Sequence, residues 1–366
     1  MRIVFDIADV WRGGAERVTL DVAARLSDLG HDVLLIVNKR VRHYSEYVAS
    51  LDAVELGRMS RWDIRVFSDI RRVLKAFDAD VCVCVMFNAS LWGRLAAASL
   101  GIRVVVAEHS TSGAPRAVER LTNLLLAHST ETVIACADAQ VESLLRAGHR
   151  MRKIRVIRNG VDTVHFSPDV QGARSLRAEL ALSPDAAIVM MVAAHRVEKR
   201  HDRFVRLIEH LHAAGVNASG VMVGGGPLLD HTKTLVEASV VSEKLHVTGP
   251  ITNMPAVYTA ADVVVLLSDD IETFPLSFLE AQACETPVVG MDTGGVRETL
   301  LDGRTGFVVE QGDLDAMVSI VATLLTDRCR HDEMGRAGRA FIEEHLSTES
   351  MMKGYLDVLR PRTTAV

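Results

Sequence analysis

Two glutamates, Glu272 and Glu280, lie eight residues apart in Glu272-Thr-Phe-Pro-Leu-Ser-Phe-Leu-Glu280. The spacing predicts a loop-to-helix junction, with Glu272 just outside the helix and Glu280 two turns inside it. Thr273 can cap such a helix, and Pro275 fits its first turn, where a missing N–H costs nothing. The unpaired backbone N–H groups at that start, around Phe274, Pro275 and Leu276, would face an anion such as a diphosphate. Each carboxylate could accept hydrogen bonds from hydroxyls at opposite ends of a ligand whose middle is anionic. A nucleotide-sugar has that layout. Two cations upstream, Arg196 and Lys199, follow a predicted strand in Ala194-His-Arg-Val-Glu-Lys-Arg200. Cations at a strand end can neutralise the charge that grows on a departing diphosphate. Arg200 is an alternative to Lys199.

The flanking residues carry a family likeness. Glu272–Glu280 continues into Ala281-Gln-Ala, a Thr286-Pro-Val-Val turn and Gly294-Gly-Val-Arg-Glu298. This block resembles the Glu-x7-Glu signature of the retaining glycosyltransferases of family 4, which have the GT-B fold. Thr273, Pro275 and Glu285 stand where that family often has glycine. The resemblance spans nearly the whole chain. It implies an α/β architecture with two Rossmann-like, doubly wound domains facing a central cleft, and a C-terminal helix crossing back to the first domain. The corresponding boundaries are residues 1–165 for an acceptor-side domain, 166–345 for a nucleotide-sugar-binding domain, and 346–366 for the returning helix. Val156-Ile-Arg-Asn-Gly-Val-Asp-Thr-Val-His-Phe166 resembles the family's linker between the two domains.

The resemblance also implies roles. Arg196 and Lys199 meet the leaving diphosphate, Glu272 holds sugar hydroxyls, and Glu280 holds the ribose. Gly13, Gly14 and Glu16 form a loop under the donor. His109, at the end of the strand Val104–Ala107, contacts the transferred sugar or the acceptor. Gly249 lies in the base-binding stretch. From the residues alone, Gly13-Gly14 is equally an ordinary turn, and His109 equally a histidine bonded into its loop. Gly224-Gly-Gly-Pro227 reads foremost as a tight strand-to-helix turn. Asp78-Ala-Asp80 has the spacing of a metal pair but precedes its strand, at the wrong end for a cleft ligand, so no metal or other cofactor is expected. A UDP- or GDP-sugar is the expected co-substrate, and a sugar, glycan or lipid-linked hydroxyl the expected acceptor; no nucleic-acid partner is expected. The rival readings are a nucleotide-sugar 2-epimerase and a non-catalytic nucleotide-sugar-binding subunit. A dehydrogenase would need a dinucleotide glycine spacing that is absent here.

These groups need a scaffold, and the rest of the chain reads as one. Short β-branched runs such as Ile3–Ile7, Val33–Val37, Val81–Val85 and Val263–Leu267 alternate with helical stretches, as in parallel doubly wound sheets. Predicted helices include 15–29, 200–214, 228–240, 255–260, 276–284, 313–326 and 347–359. At 366 residues, 48% hydrophobic and 24% charged, the chain has the makeup of a globular protein with about two cores. Its five cysteines read as small buried hydrophobes of a reducing compartment. The sequence runs from its start straight into a strand and has no long apolar span, so a cytoplasmic location is expected. Residues 1–165 hold 23 Lys+Arg against 19 Asp+Glu, the remainder 18 against 28. The basic first half raises the reading of peripheral contact with the inner face of a membrane, through the basic and apolar stretch Gly57–Phe77. The stronger reading of that stretch is a helix with its apolar side in the core and its arginines in water.

Overall fold

The computed structural model describes all residues except 11–12, 45–47, 61–62, 110–116, 183–185, 270–271 and 361–366, and all side chains of the rest except Asn88 and Ser90. Arg61 and Trp62 of the basic stretch, and Ser110 beside His109, lie outside the described residues. The chain divides into two compact units. Unit 1 comprises Met1–Arg158 with the chain from Met351, and unit 2 comprises Asn159–Ser350.

Unit 1 holds a seven-stranded parallel sheet in the order β3-β2-β1-β4-β5-β6-β7. Its strands are β1 Arg2–Ile7, β2 Asp32–Val37, β3 Asp52–Glu55, β4 Val81–Val85, β5 Arg103–Glu108, β6 Thr132–Ala135 and β7 Ile154–Val156. Unit 2 holds six parallel strands in the order β10-β9-β8-β11-β12-β13. These are β8 Ala187–Val192, β9 Ala218–Val223, β10 Leu245–Gly249, β11 Val263–Leu266, β12 Val288–Met291 and β13 Gly306–Val309. The central strands are apolar along their whole length because helices cover both faces: β4 (Val-Cys-Val-Cys-Val) and β11 (Val-Val-Val-Leu) are buried at every residue.

In each sheet the order reverses once, between β1 and β4 and between β8 and β11. Ligands of open α/β sheets bind outside the strand ends at such switch points. The chain's own topology therefore puts the loops after β8 and β11 side by side, and these carry Arg196, Lys199 and Glu272.

The Arg65–Phe77 helix buries Val66, Ile70 and Leu74 and leaves its arginines outside, as the stronger reading of the basic stretch expected. The last helix, Thr348–Leu359, ends on unit 1, where the Arg103 guanidinium donates to the carbonyls of Leu359 and Arg360 at 2.8 and 3.1 Å. The longest helix, Arg328–His345, was not anticipated; its mixed composition hides a buried stripe of His331, Met334, Gly335, Gly338 and Ile342. The short strands β3, β7 and β13 were also not anticipated, since three or four residues carry too little periodicity to register. All five cysteines are free thiols, and only Cys329 is exposed.

Candidate active site

The β8 exit is clamped before it reaches the cations. His195 donates its backbone N–H to the Gly225 carbonyl at 2.8 Å and accepts from the Leu228 N–H at 3.0 Å. Gly226, at φ +150°, packs so closely that a Cβ there would lie 2.6 Å from the His195 backbone nitrogen and oxygen. The Gly224–Pro227 turn is thus a structural clamp on the chain that leads to Arg196. The His195 ring lies against Thr232 (Nδ1 to Oγ1 2.9 Å) and stacks on His201 with centroids 4.1 Å apart. Burial lowers the pKa of both imidazoles, that of His201 to about 3, so the stack is neutral near pH 7.

Between the stacked rings, residues 196–200 form one tight turn. Arg196 is exposed, and no carboxylate pairs with it among the described residues. Lys199 and Glu272 form an ion pair between Nζ and Oε1. Glu272 is 6% exposed, and the same Oε1 accepts from the Ser268 hydroxyl at 2.6 Å. Arg200 is not available for a ligand. Its guanidinium is held by Asp202 at 2.7 and 2.9 Å and by Asp269 at 2.8 Å, which raises its pKa further. These bonds also hold Arg200 at φ +56°, a left-handed conformation costly for a non-glycine residue. Lys199, not Arg200, is the lysine-or-arginine partner of Glu272.

The Gly294-Gly295 pair has a steric reason. The Gly295 N–H donates to the Glu272 carbonyl at 2.9 Å. Gly294 sits at φ +52°, where a Cβ would fall 1.7 Å from that carbonyl oxygen. Glycine at 294 lets the β12 exit press on the backbone of Glu272 and fix it. Glu285, where the family often has glycine, does adopt a positive φ, +61°.

The helix after Glu272 runs from Leu276 to Ala283. One expectation is corrected: its N-cap is Pro275, not Thr273, and no side chain caps it. Pro275 takes φ −69°, ψ 110°, since its ring suits extended backbone just before a helix, and this moves the start one residue past the first-turn position expected for it. Thr273 and Phe274 are buried under the junction, while Leu276 is half-buried at its start. Without a side-chain cap, the first N–H groups are left for water or an anion. Glu280, on the next turns, accepts a hydrogen bond from the Tyr258 hydroxyl at 2.5 Å.

Other expected residues lie elsewhere in their units. Gly249 ends β10 at φ +72° and accepts from the Gly224 N–H at 3.0 Å. In unit 1, Gly13 is the N-cap of the Gly14–Asp28 helix, and the Glu16 carboxylate folds back over it, so that a Cβ at Gly13 would meet Glu16 Oε2 at 2.3 Å. His109 follows β5, half-buried. Asp78 is the left-handed C-cap of the Arg65–Phe77 helix, and Asp80 accepts the Arg2 N–H at 2.7 Å, so both serve the start of β4. Sequence reasoning missed Ser268, Asp269 and Tyr258. No spacing signals them, because each meets its partner only through the fold.

Two doubly wound parallel sheets with these strand orders define the GT-B class of glycosyltransferase folds. Comparison with solved structures agrees: Anabaena HepE, crystallised in complex with UDP, superposes with a TM-score of 0.86 over 98% of this chain and 99% of that one, at 17% identity. Residues 12–165 match the family model "Glycosyltransferase Family 4", and residues 173–341 match "Glycosyl transferases group 1". The chain belongs to glycosyltransferase family 4, and its class of enzyme is glycosyltransferase. It is 34% identical over 188 residues to the GDP-mannose-dependent alpha-(1-6)-phosphatidylinositol monomannoside mannosyltransferase of Mycolicibacterium smegmatis, a match that spans about half (49%) of each chain. It is 24% identical over 367 residues to the N-acetyl-alpha-D-glucosaminyl L-malate synthase of Bacillus anthracis, covering 95% of each. Among the described residues, no helix is long and apolar enough to cross a membrane.

Proposed function

We propose that this glycosyltransferase moves a sugar from a nucleoside diphosphate sugar to an acceptor hydroxyl with retention of anomeric configuration. The observation that carries the reading is the buried Glu272 carboxylate, which Lys199 neutralises at the switch point beside an uncapped helix start. In this reading the bond between the anomeric carbon and the diphosphate oxygen breaks, and its electron pair leaves with the phosphate. Arg196, Lys199 and the N–H groups near Leu276 meet that charge, a task these cations can perform without a metal ion. The acceptor oxygen bonds to the same face of the anomeric carbon, and its proton passes to the leaving phosphate. Glu272 orients sugar hydroxyls and Glu280, held by Tyr258, accepts from the ribose. UDP in the HepE complex and the GDP-mannose dependence in the mannosyltransferase's name support the reading of a UDP- or GDP-sugar as donor. The acceptor is a hydroxyl of a glycan, a lipid-linked sugar or a small glycoside.

A thermal-shift panel of UDP, GDP and their sugars tests the donor, because a bound ligand stabilises the fold by mass action. One nucleotide-sugar should raise the melting temperature. Glu280→Ala should abolish that rise, whereas Arg196→Ala should keep it and slow turnover. Stabilisation by none of the nucleotides, or native turnover in both variants, would overturn the reading.

A further inference from the structure

The nine-residue helix Ala117–Leu125 in unit 1 is built inside out. Its buried side chains are Thr122 and Asn123, while Val118, Leu121, Leu124 and Leu125 are 47%, 58%, 50% and 70% exposed. The cause lies beneath it. Arg94 is fully buried, and its guanidinium donates to Asn123 Oδ1 and Thr130 Oγ1, each at 2.7 Å. A buried guanidinium must have such partners. Asn123 also donates to the Ala147 carbonyl at 2.9 Å. Drawing Asn123 inward turns the opposite face of the helix, positions 118, 121, 124 and 125, to the surface.

The adjoining segment continues that surface. A Cβ at Gly148 would lie 3.3 Å from Leu124 Cγ, so the 145–152 stretch abuts the helix, and it exposes Leu145 and Met151 (65%). The helix itself carries Arg120 beside Glu119, and the adjoining stretch carries Arg150, half-buried, and Arg152, exposed; none of these arginines forms an ion pair with a carboxylate among the described residues. Contiguous exposed leucines mark an interaction site. Two copies meeting through this face would set these arginines against one another, which argues against a symmetric dimer. A negatively charged surface with an apolar interior fits both features.

We propose that the Ala117–Leu125 helix and its arginine rim dock this chain on an anionic lipid surface, the leucines entering the headgroup layer and Arg120, Arg150 and Arg152 meeting lipid phosphates. This is a different surface from the Arg65–Phe77 helix, whose apolar side is already buried. It stands apart from the donor chemistry, which nucleotide binding tests separately.

The experiment is co-sedimentation of the full chain with vesicles of phosphatidylcholine alone or with 30% phosphatidylglycerol, at low and high salt. Binding should require the anionic lipid and weaken at least tenfold in high salt. Leu121→Gln with Leu125→Gln, or Arg150→Glu with Arg152→Glu, should each lower the partition coefficient at least tenfold. Neither pair should unfold the chain, because Leu121, Leu125 and Arg152 are exposed and Arg150 is half-buried. Arg71→Glu with Arg72→Glu should leave binding within twofold. Three results overturn the proposal: no binding to anionic vesicles, binding lost only in the Arg71/Arg72 variant, or a concentration-dependent dimer that the leucine substitutions dissolve.

Discussion

The two units share one wrapping and differ in what they bury at it. In unit 1, β1 and its neighbours enclose acids: Asp6 is fully buried and Glu108 nearly so, and burial pushes both pKa values up to about 8. In unit 2, the chain leaving the corresponding first strand, β8, buries imidazoles, His195 and His201, whose pKa values burial pushes down. Unit 2 balances its remaining charges in compact pairs, Lys199 with Glu272 and Arg200 with Asp202 and Asp269. Among the described residues unit 1 buries one guanidinium, Arg94, against neutral hydrogen-bond partners. The same sheet topology thus leaves the chemistry to a few strand-end residues, and the two halves should answer oppositely to pH and to charge removal.

The sharpest way to break this contrast is Lys199→Ala. It leaves Glu272 buried and uncompensated, so unit 2 should lose about 3 kcal/mol and sugar transfer should fall by about 10²–10³-fold. Denaturant unfolding and donor turnover check the two effects, and a variant with native rates would show that the pair is only structural. The unit 1 counterpart is Arg94→Leu, which takes the guanidinium donors away from Asn123 Oδ1 and Thr130 Oγ1 and leaves these buried oxygens without them. It should cost about 2 kcal/mol, with hydrogen-exchange protection lost around Asn123 and Thr130 and kept at β8 and β11.

The pH responses come next. His201 has a folded pKa below its unfolded value near 6.5, so the unfolded chain takes up a proton that the folded chain refuses. Stability from this residue is therefore intact above pH 6.5 and is lost as pH falls toward 3, by about 2 kcal/mol at pH 5. His201→Phe keeps a ring for stacking and should flatten that part of the stability–pH curve. Asp6 works in reverse. Its folded pKa is raised, so its cost is absent below pH 4 and grows as pH rises toward 8. Asp6→Asn should therefore stabilise the chain by about 3–4 kcal/mol more at pH 8 than at pH 5, because each pH unit between the unfolded and folded pKa values costs about 1.4 kcal/mol. Equal gains at both values would mean that Asp6 is ionised in the folded state.

Much of the scaffold was legible because it rests on local signals. Apolar runs of four to six residues separated by helical stretches identify β1, β2, β4, β8 and β11. Pro275, Gly294 and Gly295 flag the junction around Glu272 because they constrain the backbone itself. What stayed hidden depends on distance. Nothing in the sequence couples Tyr258 to Glu280, Ser268 to Glu272, or Arg94 to Asn123. Thr273 read as a cap because its side chain can serve as one, yet the chain carries it under the junction and leaves Pro275 at the N-cap.

The sequence by itself determined the strand-and-helix alternation, the family, and which carboxylates and cations stand at strand ends. Backbone periodicity and residue type act over a few neighbours, and those can be read along a line. Tertiary structure decided which of two adjacent cations meets Glu272, because the Asp202 and Asp269 carboxylates occupy Arg200 first. It also decided that the Ala117–Leu125 helix turns its leucines outward. A buried guanidinium must be given hydrogen-bond partners wherever the fold places it, and that demand outweighs the local preference for apolar side chains inside.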